Sequence, residues 1–222
     1  MGFEVLLKGS NLIRLFTGIL VALRISMISV MLSIVFGVII GSLMTLKKPV
    51  INITGKLYLE FIRIMPQMVL LFLVYFGTTK AIGVNISAET ASIIVFTLWG
   101  TAEMSDLIRG ALNGIPTIQY ESSYSLGMSV RQTYIHVIIP QIIRRMLPLS
   151  INLVTRMIKT TSLVMMIGIV EVLKVGQQIV EANRKSSPNA AFGIFATIFA
   201  LYFFACWPIS IFSKYLEKKW EN

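Results

Sequence analysis

Apolar residues along this chain gather in long runs, and charged residues gather between them. The clearest run is Ile25 to Leu46, with Arg24 before it and Lys47-Lys48 after it. A bilayer core about 30 Å thick is crossed by roughly 20 apolar residues in helical form, so this run predicts a membrane span. The run from Leu57 to about Gly83 predicts a second, with Glu60 and Arg63 near its start. Thr90 to about Leu112 predicts a third and carries Glu103 and Asp106 in its later half. Met146 to about Val170 contains Arg156 and Lys159, and Ala190 to Ser213 is free of charge. Strands of a membrane barrel would alternate over about 10 residues, whereas Ile25–Leu46 is apolar on every face. The expected fold is therefore an all-α integral membrane protein with five transmembrane helices, residues 1–222 forming a single transmembrane domain. Met1–Leu23 lacks the ordered charge, apolar core and cleavage pattern of a signal peptide. It reads either as an interfacial amphipathic lead or as an outward extension of the first helix.

Composition narrows the class further. Of 222 residues, 55% are hydrophobic and 14% charged, where a soluble domain carries about 25% charged; mean hydropathy is +0.78. A water-soluble globule of this make-up would expose large apolar patches, and a disordered chain would be polar. The net charge of +10 does not cluster as a nucleic-acid surface; it follows the loops, as the positive-inside rule expects. Lys47, Lys48 and Lys56 follow the first span, Arg131, Arg144 and Arg145 precede the fourth, and Lys214, Lys218 and Lys219 close the chain. All lie on one side if the N-terminus is outside and the C-terminus cytoplasmic. Arg24 is then expected to snorkel to the outer headgroups, and Trp207, Tyr215 and Trp220 to anchor at the interfaces. Cys206 and His136 are the sole cysteine and histidine, so neither a disulfide nor a Cys/His metal site is expected, and no catalytic constellation is seen. No GxxxxGK[ST] phosphate loop occurs.

The connection from Gly114 to Arg145 is long for neighbouring membrane helices, and long connections are often functional. Pro116 suits the opening of a short helix, Gly127 its left-handed end and Ser129 the N-cap of the next segment. Pro140 interrupts that segment. The result is helix, turn, helix on the cytoplasmic face, suited to docking a soluble partner.

The spacing Glu121-Ser122-Ser123, three residues, Gly127, nine residues, then Val137-x-Ile139-Pro140 resembles the EAA loop of ABC importer permeases. That pattern reads Glu-Ala-Ala, three residues, Gly, nine residues, Ile-x-Leu-Pro; Ser122 and Ser123 replace its alanines with another small residue. Glu60-Phe-Ile-Arg63 before Pro66, Val74-Tyr-Phe-Gly77, Arg109-Gly110, Ser125 to Ser129, Val137 to Gln141, and Thr161 to Val164 with Ile167-Gly168 are similar to the polar amino-acid branch, histidine/glutamine permease-like. The resemblance spans most of residues 57 to 215. It implies a type I importer permease with a cytoplasmic coupling helix, in a bacterial cytoplasmic (inner) membrane. The implied partners are a second permease subunit, identical or homologous, two cytoplasmic ATPases, an extracytoplasmic substrate-binding protein, an amino-acid substrate and membrane lipid, but no nucleic acid. No cofactor is expected in this chain, ATP and Mg being bound by the ATPase. Glu121, Ser122, Ser123, Gly127 and Pro140 are the implied ATPase-coupling residues. An ion-coupled secondary transporter, the alternative, would be expected to show internal repeats, and a non-transport scaffold would leave the loop unexplained.

Charges at membrane depth cost about 2.5–3.5 kcal/mol on insertion scales, which makes them candidates for function. Glu103, Asp106 and Arg109 fall three residues apart and share roughly one helix face. Glu103 is expected either to meet the ammonium of a substrate or to pair with Arg109, Arg156 or Lys159. Lys159, followed by Thr161 and Ser162, is the candidate for a substrate carboxylate; interhelical hydrogen bonding is the alternative for the hydroxyls. Pro66 is expected to kink the second span.

Overall fold

The computed structural model describes residues 2–46 and 48–221; Lys47, one of the charges used for topology, lies outside them. Regular structure among these residues is helical throughout. A 3-10 turn over Phe3–Leu7 leads into α1 (Asn11–Leu43), followed by α2 (Pro49–Ile64), α3 (Gln67–Ile82) and α4 (Ala88–Asn113). Then come the short α5 (Thr117–Ser125) and α6 (Val130–Thr133), a π-helical turn over Tyr134–Ile138, and α7 (Ile139–Thr160). A 3-10 stretch over Thr161–Ile167, α8 (Val172–Ala182) and α9 (Ala190–Glu221) complete the chain.

Among the described residues four helical stretches are long and apolar enough to cross a membrane, and α2 with α3 counts as a fifth, broken span. The expected five-span architecture is thus present, with local corrections. The N-terminal segment is largely an extension of the first helix, which starts at Asn11 rather than Ile25. The second span is not one kinked helix: it stops at Ile64 and restarts at Gln67, with Pro66 extended at φ −60° and ψ 127°. Proline disfavours helical dihedrals at the residue before it and supplies no N–H, so Met65-Pro66 ends one helix and caps the next. The fourth span begins earlier than Met146, at Ile139 or before, because Pro140 sits within the first turn, where its missing N–H costs little.

Contacts group the chain into two compact units. One comprises Met1–Val30, Met65–Thr97 and Val154–Ile209; the other comprises Met31–Ile64, Leu98–Leu153 and Ser210–Asn222. In the first unit, Val5, Leu15, Ile19 and Ala22 pack against Val172, Val175 and Ile179 of α8 and Ala190, Ile194 and Ile198 of α9. The approach of α1 to α8 depends on Gly18, where a Cβ would lie 2.7 Å from the backbone N and Cα of Val172. Arg14 donates to Gln178 Oε1 at 2.6 Å across the same pair of helices. Arg24, expected to snorkel alone, instead pairs with Glu89 at 2.8 Å, both side chains well exposed.

Glu171 is fully buried and N-caps α8, its carboxylate accepting from the N–H groups of Leu173 and Lys174 at 2.9 Å each. Tyr202 Oη donates to the same carboxylate at 3.3 Å. Burial pushes the Glu171 carboxyl above its ordinary range, and these hydrogen bonds oppose the rise without cancelling it. In the second unit Tyr58 Oη donates to the Leu98 carbonyl at 2.7 Å, and Ser213 Oγ to the Pro148 carbonyl at 2.9 Å.

Gly18→Ala is expected to destabilise the protein by about 1–3 kcal/mol through overpacking against backbone, read as a lower melting temperature of the purified protein. The Glu171 shift gives a pH dependence of known sign. A folded pKa above the unfolded one stabilises at low pH, and that contribution is lost as pH rises through the folded value. The Glu171 contribution to melting temperature should decline as pH rises above the ordinary carboxylate range, and Glu171→Gln should remove that part of the pH dependence.

Candidate functional site

The connection singled out by its spacing is a short helix fixed to the second unit from below and bare on its outer side. α5 starts directly after Pro116, which is extended at φ −61° and ψ 141°. It ends at Gly127, whose φ of 77° is left-handed. The Gly127 N–H donates to the Tyr124 carbonyl at 2.9 Å and the Met128 N–H to the Ser123 carbonyl at 3.1 Å, the bonding pattern of a Schellman cap. Ser129 then caps α6 in a reciprocal box with Gln132. Pro140 has no N–H for the His136 carbonyl, and the backbone over Tyr134–Ile138 relaxes into a π turn just ahead of it.

One face of this segment is anchored. Ile115, Ile138 and Ile142 form a buried cluster, joined by Tyr120, Val137 and Met146. Gln141 Nε2 donates to Gln119 Oε1 at 3.3 Å and to the Val137 carbonyl at 3.0 Å. Arg145 donates to the Gly114 carbonyl at 2.6 Å, closing the base of the loop. The Tyr120 and Tyr134 rings meet edge-on at 6.1 Å, and burial with this neighbour pushes the Tyr120 hydroxyl above its ordinary range. Ser123 is buried and donates to the Gln119 carbonyl at 2.7 Å. Its side is packed, which explains why a small residue is needed there.

The other face is open. Ile118 is 57% exposed and Leu126 82% exposed, with Glu121, Ser122 and Tyr124 exposed between them. A Cβ on Gly127 would meet nothing within 4 Å. Of the predicted coupling residues, Glu121, Ser122 and Gly127 lie on the open surface, Ser123 faces the interior, and Pro140 is partly buried in α7. The anchoring roles of Gln119, Tyr120, Gln141 and Arg145 escaped the sequence reading, where Arg145 counted only as a topology charge and Gln141 only as part of a motif.

The predicted charge stripe on α4 also forms. Asp106 pairs with Arg109 within the helix and with Arg63 of α2 at 2.9 Å, and Arg63 reaches Glu103 at 3.2 Å. Arg63, which the sequence reading had placed near the start of a span without assigning it a role, is thus a partner of Glu103. The cluster is balanced, with two acids and two bases, which offsets the cost of placing charge on a span. Lys159, Thr161 and Ser162 belong to the other unit. Lys159 is exposed, whereas Thr161 is buried and donates to the Ile158 carbonyl at 2.6 Å. Ser162 donates to the Lys159 carbonyl at 3.0 Å. Both hydroxyl protons are thereby used by helix carbonyls, and a carboxylate would need them to rotate away. No cluster of His, Cys, Asp or Glu suited to a metal ion occurs among the described residues.

Comparison with known proteins agrees with this arrangement. The chain is 32% identical over 208 residues to a probable glutamine ABC transporter permease protein of Bacillus subtilis, covering 93% of this chain and 94% of that one. It is 34% identical over 205 residues to a probable amino-acid ABC transporter permease of the same organism, covering 92% and 88%. The fold superposes on a crystal structure of an amino acid ABC transporter with histidines, with a TM-score of 0.82, 26% identity, and coverage of 93% of this chain and 94% of that one. The inward-facing MetNI methionine transporter shares the fold at 18% identity, with a TM-score of 0.74 over 96% of this chain and 99% of the other. Residues 33–222 match the model of the binding-protein-dependent transport system inner membrane component, and the chain belongs to that family of multi-pass membrane permeases.

Proposed function

We propose that this chain is the permease subunit of an amino-acid importer, forming half of the translocation path and driven by a separate ATPase pair docked on α5. The observation that carries the reading is a rigid helix with an unoccupied apolar and acidic face. A helix locked by the Gln119–Gln141 and Arg145–Gly114 bonds transmits a push instead of absorbing it. Ile118, Leu126 and Glu121 offer two apolar contacts and one carboxylate to a cleft on the ATPase. Coupling requires an element with two arrangements that both sites bias, and here that element is the set of spans carrying α5. A second permease, identical or homologous, and an extracytoplasmic binding protein complete the proposed assembly, with the N-terminus outside and the C-terminus cytoplasmic. ATP and Mg are bound by the ATPase in this scheme.

For the substrate, the amino-acid transporters among the relatives support a zwitterionic solute. Glu103 is the proposed partner of its ammonium. Glu103 places a carboxylate on the α4 span beside Arg63, the anionic chemistry that an ammonium requires. Lys159, exposed on α7, is the proposed carboxylate partner, without the Thr161 and Ser162 hydroxyls, which are bonded to their own helix.

Gly127→Val is expected to cost about 1–2 kcal/mol through the left-handed backbone alone, leaving the protein in the membrane. It should nonetheless abolish ATPase copurification or uncouple ATP hydrolysis from uptake in reconstituted vesicles; normal coupled uptake would sink the docking assignment. Glu103→Gln should weaken uptake of labelled amino acids roughly ten-fold in apparent affinity, the loss of one charged hydrogen bond. Unchanged affinity and selectivity would remove Glu103 from the substrate path.

A further inference from the structure

The second unit carries a pocket outside the charge cluster, sharing Arg145 with the base of the α5 loop. It is a cavity of about 260 Å³ where the start of α7 meets the last turns of α9, lined by Arg144, Arg145, Pro148, Leu149, Glu217 and Trp220. The helices are clamped there by the Ser213–Pro148 hydrogen bond. Leu149 is 46% exposed, so the pocket has an apolar wall next to its charges. Both helices belong to membrane-spanning stretches, and Arg and Trp at the end of a span belong at headgroup depth.

The chemistry of the lining is two-sided. Arg144 and Arg145 offer guanidinium forks, the geometry that grips a phosphate by paired N–H groups. Arg145 is oriented by its bond to the Gly114 carbonyl, which leaves its other nitrogens for a ligand. Glu217 and Trp220 line the same pocket and offer a carboxylate and an indole, the two groups that hold an ammonium. A wholly basic pocket would suit an anionic lipid, but Glu217 would repel such a headgroup. A choline headgroup has no N–H to donate to Glu217.

We propose that the Arg144–Arg145–Glu217–Trp220 pocket binds the phosphoethanolamine headgroup of a membrane lipid, phosphate on the two arginines and primary ammonium between Glu217 and Trp220. The site would couple the lipid to the junction of α7 and α9, directly beside the base of the docking loop held by Arg145. The inference rests on the membrane location of the chain and not on its substrate.

The test uses the full chain in its assembled complex, placed in nanodiscs of phosphatidylcholine mixed with either phosphatidylethanolamine or phosphatidylglycerol, with retained lipid counted by native mass spectrometry. The wild type should retain phosphatidylethanolamine over phosphatidylcholine by roughly ten-fold, the yield of one charged hydrogen bond, and should also prefer it to phosphatidylglycerol. Glu217→Gln should erase the preference over phosphatidylcholine and raise retention of phosphatidylglycerol. The paired change Arg144→Gln with Arg145→Gln should lower retention of both. If Glu217→Gln does not assemble, Trp220→Leu should give the same loss of preference for the ethanolamine lipid. Equal retention of the ethanolamine and choline lipids by the wild type would overturn the proposal, as would a preference for the glycerol lipid. Displacement by water-soluble glycerophosphoethanolamine at millimolar concentration would assign the site to a free phosphoester and overturn its lipid character. Loss of ATPase copurification in Arg144→Gln alone, with lipid retention unchanged, would make the pocket a protein contact instead.

Discussion

Inside a bilayer no water is available to hydrogen-bond the backbone, so every peptide N–H and C=O must find its partner within the protein. The rest of this structure follows from that constraint. It makes the described chain helical throughout, and it makes each interruption costly unless the freed groups are satisfied locally. Five of the chain's seven prolines show the accommodation. Pro49 opens α2 and Pro66 and Pro116 stand just ahead of α3 and α5, where a missing N–H costs little. Pro140 comes after a π turn. Pro148 lies inside α7, and its carbonyl takes a side-chain hydroxyl from Ser213. Gly127 and Gly168, both left-handed, close the helical stretches before them with backbone bonds to the preceding turn.

The same accounting explains how polar side chains are tolerated on the spans. Asp106, Glu103, Arg63 and Arg109 neutralise one another in a single cluster. Glu171 is buried at a helix N-terminus where two backbone N–H groups and Tyr202 surround it. Hydroxyls such as Thr161, Ser162, Ser105 and Ser150 donate back to carbonyls three or four residues earlier. Polar groups in this protein are therefore held in place, which limits how many of them are available to a solute.

The rigidity of α5 is a consequence of its anchoring, not of its own propensity. α5 has nine residues, too few to be stable alone in water. Its persistence comes from the isoleucine cluster beneath it, the amide pair Gln119–Gln141 and the Arg145–Gly114 bond. Rigidity at the base and exposure at the tip suit a lever between a soluble motor and membrane helices.

The sequence by itself determined the class of fold, the number of spans and the place of the short helix α5. Long apolar runs have one solution in a membrane, and the turn chemistry of Pro116, Gly127 and Ser129 is local enough to read from neighbouring residues. Family membership was legible for the same reason, since the spacing from Glu121 to Pro140 is a linear feature. Tertiary structure alone decided who pairs with whom. Arg63 meets Glu103 and Asp106 across 40 and 43 residues of chain, and Arg24 meets Glu89 across 65. Pairings at such separations leave no periodicity behind. It also decided that the second span is broken, which Pro66 permits but does not dictate, and that the Thr161 and Ser162 hydroxyls are engaged by their own helix. Finally it brought Trp220, read in sequence only as an interfacial anchor, and Glu217, given no role there, to Arg144 and Arg145, read only as topology charges. The two signs meet where α9 packs on α7 beside the Ser213–Pro148 bond.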